Sequence, residues 1–209
     1  MDIVADWIPI ASTFSVLVPL FLLLRNFKSH DIEIKALALY LAIGFIIDVG
    51  TWYFYSSKNS AARHSLHHAF DLYEEIFLYW FLGKVSPYVR VKPYFTHAWI
   101  MLVPFWLMRF YYPEWAAWFK TSTEVFIAFA SCFFILRMVE KTDEDISRNL
   151  TVWILLGIFF YSFSTYFIMG IIRPLFSKAW YSHNLMNITT NLIYCFGFIR
   201  AKKEFPLNM

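Results

Sequence analysis

Charge is scarce in this chain of 209 residues: 16% of positions are Asp, Glu, Lys or Arg, against about 25% in a soluble domain. That shortage argues against an ordinary water-exposed globule. The formal net charge of +3 is too small to mark a nucleic-acid partner. Cysteine is limited to Cys132 and Cys195, both inside apolar runs. This excludes a disulfide framework and a cysteine-based metal site, and leaves two packed thiols. Glycine occurs six times, and no Gly-rich phosphate loop or Walker pattern is present. There is no HExxH motif, no nucleophilic serine motif, no lipidation signal and no low-complexity tail. The first residues, Met1–Asp6, are acidic, and no small-residue cleavage site follows the first apolar run. A cleaved signal peptide is therefore not expected.

What the chain has instead is apolar length. Hydrophobic residues make up 59% and aromatics 22%. Seven runs reach the roughly 17–25 residues that span a bilayer as a helix: residues 7–24, 35–55, 64–83, 94–112, 121–139, 150–172 and 180–199. We refer to them as spans 1 to 7. Pro19 and Pro104 fall inside spans 1 and 4, where a kink is expected. Connections are short, so the fold class expected is all-α: one polytopic seven-transmembrane-helix bundle with no separate soluble domain. No internal repeat is apparent, which weighs against an inverted-repeat transporter.

Lys and Arg set the orientation. With the N-terminus outside and the C-terminus inside, twelve fall on inner segments: Arg25, Lys28, Lys35, Lys84, Arg90, Lys92, Arg137, Lys141, Arg148, Arg200, Lys202 and Lys203. Five fall outside: Lys58, Arg63, Lys120, Arg173 and Lys178. Trp7, Trp52, Trp115, Trp118 and Trp180 then sit near the outer interface, and Trp80, Trp99 and Trp153 near the inner one. Of the two sequons, that of Asn149 falls in an inner loop and that of Asn187 inside span 7. The expected location is a bacterial cytoplasmic membrane, crossed several times.

Span 3 is the anomaly. It carries His64, His67, His68, Asp71, Glu74 and Glu75. At about 100° per residue, His64, His68, Asp71 and Glu75 share one narrow face, with His67 and Glu74 on its flank. Ionisable groups in a membrane helix must face protein or water. At a 1.5 Å rise, His68 lies roughly 6 Å below the outer end of span 3, Asp71 about 10 Å and Glu75 about 16 Å. Asp48 lies about 10 Å below the outer end of span 2 by the same rise. Glu124 opens span 5, Arg109 is near the outer end of span 4, and span 6 offers Tyr161, Ser164 and Thr165. On span 7, His183, Asn187, Thr190 and Tyr194 share a face, with Asn191 below. Nearly every membrane-depth ionisable group thus falls in the outer half, which predicts a polar pocket open to the outside. The candidate ligand-binding residues are Asp48, His68, Asp71, Glu74, Glu75, Arg109, Glu124, Tyr161, His183, Asn187 and Asn191.

Four stretches resemble a family of uncharacterised bacterial seven-helix integral membrane proteins. HAFDLYEEIFLYWF carries a His followed six residues later by Glu, here His68 and Glu74. STEVFIAFASCFFILRMVE opens on an acid, Glu124. WILLGIFFY has the Trp, Gly and Tyr spacing of Trp153, Gly157 and Tyr161. WYSHNLMNITTNLIYCFGF is the most specific, with His183, Asn184, Asn187 and Asn191; Asp48 fits an acid expected in span 2. The resemblance implies the fold and the residue set but no settled activity. The chain departs from that pattern in having Asp71 and Glu75 beside Glu74, and His67 beside His68.

Three functions fit such a pocket, and a purely structural reading competes with them. The leading expectation is receptor-like or sensor binding of a cation or small polar ligand, relayed to an inner-membrane signalling partner. A second is a metal-dependent hydrolase acting on a lipid-like ester. There Asp48, His68, Glu74, Glu124 and His183 would hold zinc, manganese or iron, and a bound water would attack. A third is an ion or proton pathway, for which the inner half offers chiefly His97. In the structural reading, Glu124 pairs with Arg109, Asp48 pairs with a histidine, and the asparagines of span 7 bridge helix backbones. A retinal protein is excluded, since span 7 has no lysine for a Schiff base.

Overall fold

The structure is a computed structural model that describes residues 3–25, 27–112, 114–141, 145–167 and 179–201. Within these residues the chain is helical and contains no strand. Nine α-helices follow in order: α1 Ile3–Ser15, α2 Leu17–Arg25, α3 Ile32–Ser56, α4 Ser60–Val85, α5 Lys92–Thr96, α6 Trp99–Leu107, α7 Glu114–Lys141, α8 Leu150–Tyr166 and α9 Ala179–Arg200. They form seven rods at the places of the seven expected spans, since α1–α2 and α5–α6 are each one broken rod. The last residues expected in span 6, 168–172, lie outside the described residues, as do Arg173, Lys178, Lys202 and Lys203.

The first break falls at Val16, three residues before Pro19. Pro19 has no N–H to give the Ser15 carbonyl, and the helix resumes with Leu20 N–H on the Val16 carbonyl at 3.2 Å. In the fourth rod the break is not at Pro104, which stays inside α6. It falls at His97–Ala98, where the amides of Ile100 and Met101 reach back only three residues, at 3.1 and 2.9 Å. Asn59 caps α4 by accepting from the Ala62 amide at 3.0 Å, and Asn149 caps α8 by accepting from the Thr151 amide at 2.9 Å. The turn between α3 and α4 puts Lys58 at φ 57°. Its amide bonds the Tyr55 carbonyl at 3.1 Å, and the next amide bonds the Phe54 carbonyl at 3.0 Å. That is a helix stop that normally selects glycine.

The rods close a ring. Helix α3 packs on α4, α4 on α7, α7 on α8, α8 on α9, and α9 on α1 and α2, which return to α3. The α5–α6 rod lies against α4 and α7 and leaves Tyr94, Ile100, Met101 and Phe105 exposed. Two glycines set close approaches in the α8–α9 seam. A Cβ on Gly157 would sit 2.2 Å from the Tyr194 ring, and one on Gly197 would sit 2.5 Å from Trp153. Each helix therefore takes the other's aromatic side chain into a glycine notch.

Beside an apolar core that includes Leu37, Phe81 and Ile154, the bundle exposes large apolar side chains and buries ionisable ones. Large apolar side chains are exposed on α2 (Phe21), α3 (Ile46), α7 (Phe129), α8 (Phe163) and α9 (Phe196, Ile199). The buried set includes Glu74, Glu75, Arg109 and Glu124. Two helical segments are long and apolar enough to cross a membrane, Trp7–Arg25 and Trp118–Lys141; Leu150–Tyr166 is a shorter apolar helix.

Candidate functional site

A cavity of about 760 Å³ lies within the ring. On α4 it is lined by His64, His67, His68, Phe70, Asp71, Glu74 and Leu78. The inward face of α4 is thus centred between the two faces weighed from sequence. Glu74, expected on the flank, faces the cavity. Glu75, expected on the stripe, turns away toward α7. The rest of the lining includes Asp48, Arg109, Lys120, Tyr161, His183, Asn187 and Asn191. Every expected pocket residue except Glu75 and Glu124 is therefore on the wall, and those two stand directly behind it.

The deepest polar group is an assembly that the sequence reading did not expect. Lys120 contacts the Glu74 carboxylate directly, Glu75 Oε1 at 3.3 Å and Glu124 Oε1 at 2.9 Å. Tyr40 donates its hydroxyl to Glu74 Oε1 at 2.8 Å, and Tyr161 also bonds Glu74. The side chains of Glu75 and Glu124 are 0% exposed. Among the described residues their oxygens make no well-formed hydrogen bond beyond the Lys120 ammonium, with the Ser162 hydroxyl beside Glu124. The Thr123 hydroxyl beside Glu75 is instead committed to the carbonyls of Phe119 and Lys120, each at 3.0 Å. Three carboxylates thus share one ammonium at the cavity wall, with Glu75 and Glu124 sealed behind it and the Lys120 side chain 22% exposed.

The apolar run of span 5 begins at 121 and leaves Lys120 among the outer-loop cations. Helix α7 begins seven residues earlier, at Glu114, which carries Lys120 into the bundle. The legible signal was the Lys120–Glu124 spacing, one helical turn. The pairing of Glu124 with Arg109 is corrected accordingly.

Arg109 belongs to a second group, nearer the α3–α4 turn. Its guanidinium contacts His68 Nδ1 and lies 3.7 Å from Asp71 Oδ2, which is itself 3.8 Å from His68 Nδ1. Trp106 Nε1 donates to the His68 carbonyl at 3.0 Å, and the Arg109 guanidinium stands 5.3 Å from the Trp106 ring centre. These contacts fasten the broken α5–α6 rod to α4. The His64 and His68 rings stack at 6.3 Å.

The third wall is α9 against α1. Asn187 Nδ2 donates to Ser12 Oγ at 3.0 Å, Asn191 Nδ2 donates to Ser15 Oγ at 2.7 Å, and Ser15 Oγ donates to the Ser12 carbonyl at 2.6 Å. The asparagines bridge helices through serine hydroxyls, where the structural reading expected backbone, while still lining the cavity. His183 lies 6.2 Å from the Tyr161 ring. Asp48 meets the Thr13 hydroxyl and not a histidine, which corrects the other expected pairing. Thr13, Ser12 and Ser15 were missed because a hydroxyl in an apolar span leaves no trace in periodicity.

The five residues proposed for a metal do not form a centre. Glu124 is held by Lys120, His68 by Arg109 and Asp48 by Thr13. Among the described residues no group of three or more His, Cys, Asp or Glu side chains is arranged to hold a metal ion. On the far side of the Lys120 assembly the packing is apolar and buried, with Leu37, Leu82, Phe81 and Ile154. His97, the expected continuation of a proton path, bonds the Pro93 carbonyl at 2.9 Å on an exposed turn. Cys132 and Cys195 are free thiols. Compared with known proteins, the chain matches no family model, no curated protein and no solved structure.

Proposed function

We propose that this chain is a seven-span membrane protein, N-terminus outside, whose cavity opens outward and binds a small cationic or polar solute in a receptor-like role. The observation that carries the reading is the charge of the cavity. Asp48, Asp71 and Glu74 line it and Glu75 and Glu124 back it, against two permanent cations, Arg109 and Lys120. A volume of about 760 Å³ falls in the range of small-molecule sites. An apolar exterior on almost every rod suits lipid contact. The apolar seal beyond the Lys120 assembly makes the cavity a dead end, which favours binding over transport. A receptor-like role implies an inner-membrane signalling partner.

Two experiments test the reading. Single cysteines in place of Lys58 and Lys141 should react with an impermeant thiol reagent from outside and inside respectively; the reverse pattern would overturn the orientation. Gly44 lines the cavity, with 3.6 Å from a built Cβ to the Phe70 ring. Gly44→Phe should fill the space and remove saturable solute binding measured by calorimetry on detergent-purified protein. Unchanged binding in that variant would place the ligand elsewhere.

A further inference from the structure

Asp48 is the cavity's uncommitted acid. Of the three carboxylates on the wall, Asp71 faces Arg109, and Glu74 is engaged by Lys120 and Tyr40. Asp48 meets only the neutral Thr13 hydroxyl. Among the described residues no Lys, Arg or His pairs with it. A carboxylate at bilayer depth without a cation is costly, so the site is complementary to a positive group from outside the chain.

The surroundings select which kind of cation. A divalent metal needs several hard oxygen or imidazole ligands, and none of the described side chains cluster so around Asp48. The cavity is also far larger than an ion. Its walls are rich in rings: Tyr40, Phe45, Phe70, Tyr161 and Tyr194 all line it. Phe45 and Gly44 precede Asp48 by three and four residues, so they share its face of α3. Both line the cavity on the acid's side, and a Cβ on Gly44 would meet the Phe70 ring at 3.6 Å. Ring faces attract alkylated ammonium groups, which are weakly hydrated and carry apolar substituents.

Resting on the reading of the cavity as a ligand pocket, we propose that its ligand is a small organic ammonium. The charged head sits against Asp48, and its carbon substituents lie on the aromatic lining.

The test is calorimetry and thermal unfolding of the full chain in detergent, at constant ionic strength. Three ammonium chlorides serve as probes (tetramethylammonium, ethanolammonium and benzylammonium), with sodium acetate, magnesium chloride and zinc chloride as other classes. At least one ammonium should bind saturably to the unaltered protein. Asp48→Asn should weaken it by about thirtyfold or more, the loss expected when one partner of a buried charge pair is removed. Asp48→Glu should retain measurable binding. Should Asp48→Asn not fold, Gly44→Phe supplies the comparison by steric exclusion. Saturable binding of acetate, magnesium or zinc with no ammonium binding would overturn the ligand class and leave the pocket reading standing. Equal ammonium affinity in the unaltered protein and Asp48→Asn would overturn the assignment to Asp48. No saturable binding of any probe would overturn the pocket reading and this proposal with it.

Discussion

Replacing Lys120 by methionine tests the central feature of this bundle. The substitution keeps the unbranched stem and removes the one ammonium that Glu74, Glu75 and Glu124 share. Unit charges about 4 Å apart attract by roughly 4 kcal/mol at an effective dielectric of 20. Three such contacts are offset by desolvation and by repulsion among the acids. Removing one partner of a buried pair costs about 3–5 kcal/mol in practice. Lys120 sits at the upper end of that range, because among the described residues the two rear carboxylates have no other well-formed hydrogen bond. Against a typical total of about 5–15 kcal/mol, Lys120→Met should remove a third or more of the stability. Unfolding in mixed micelles, followed by circular dichroism, measures this. The quadruple variant Lys120→Met, Glu74→Gln, Glu75→Gln, Glu124→Gln should recover most of the loss, since it deletes the stranded charges together with the counter-ion. Lys120→Met within about 0.5 kcal/mol of the unaltered protein, the range of an inconsequential surface change, would refute the reasoning. So would a quadruple variant less stable than the single one.

Other expectations follow from single contacts. Gly157→Val places atoms where the Tyr194 ring already lies, 2.2 Å from the built Cβ; it should cost about 1–3 kcal/mol, and an unchanged melting temperature would mean the α8–α9 seam is looser than described. Asn187→Ala should cost only about 0.6 kcal/mol, the mean for an interhelical bond in a membrane protein; a loss above about 2 kcal/mol would assign it more than its bond to Ser12. Lys58→Gly relieves a left-handed residue at φ 57° and should raise stability by roughly 1 kcal/mol, read as a higher unfolding midpoint. In the connection before α8, hydrogen bonds from the Ser147 hydroxyl at 2.7 Å and amide at 3.1 Å hold the Asp145 carboxyl below the ordinary carboxylate range. Its contribution to stability is therefore present above the ordinary aspartate range and lost as pH falls through the lowered value. Ser147→Ala should move the titration upward in a carboxyl-resolved NMR series, and no movement would refute the contact.

Local properties of the chain were legible without coordinates. Apolar length located the seven rods, and the 3.6-residue period set His68 and Asp71 on one face of α4 and His183 and Asn187 on one face of α9, while it left Glu74 on the flank and put Glu75 on the stripe, the reverse of their places at the cavity. These follow from residue type and helical geometry alone, which involve neighbours a turn apart. Boundaries were less legible. The Glu114–Lys120 segment, with its two charges, looked like a loop end; a charge shortens an apolar run without stopping a helix.

Partnership between helices was beyond the sequence; only the one-turn spacing of Lys120 and Glu124 was legible. Whether Lys120 also meets Glu74 and Glu75, and whether Asp48 meets a histidine or Thr13, depends on which helices adjoin in the ring and how each is rotated. Those are set by packing, such as Gly157 against Tyr194 and Gly197 against Trp153, between residues far apart in the chain. The sequence by itself determined that this protein is helical, apolar on the outside and charged within. Only the tertiary structure decided how the charges are shared, because electrostatic pairing in a low dielectric is settled over a few ångströms, a scale on which the order of residues along the chain carries no information.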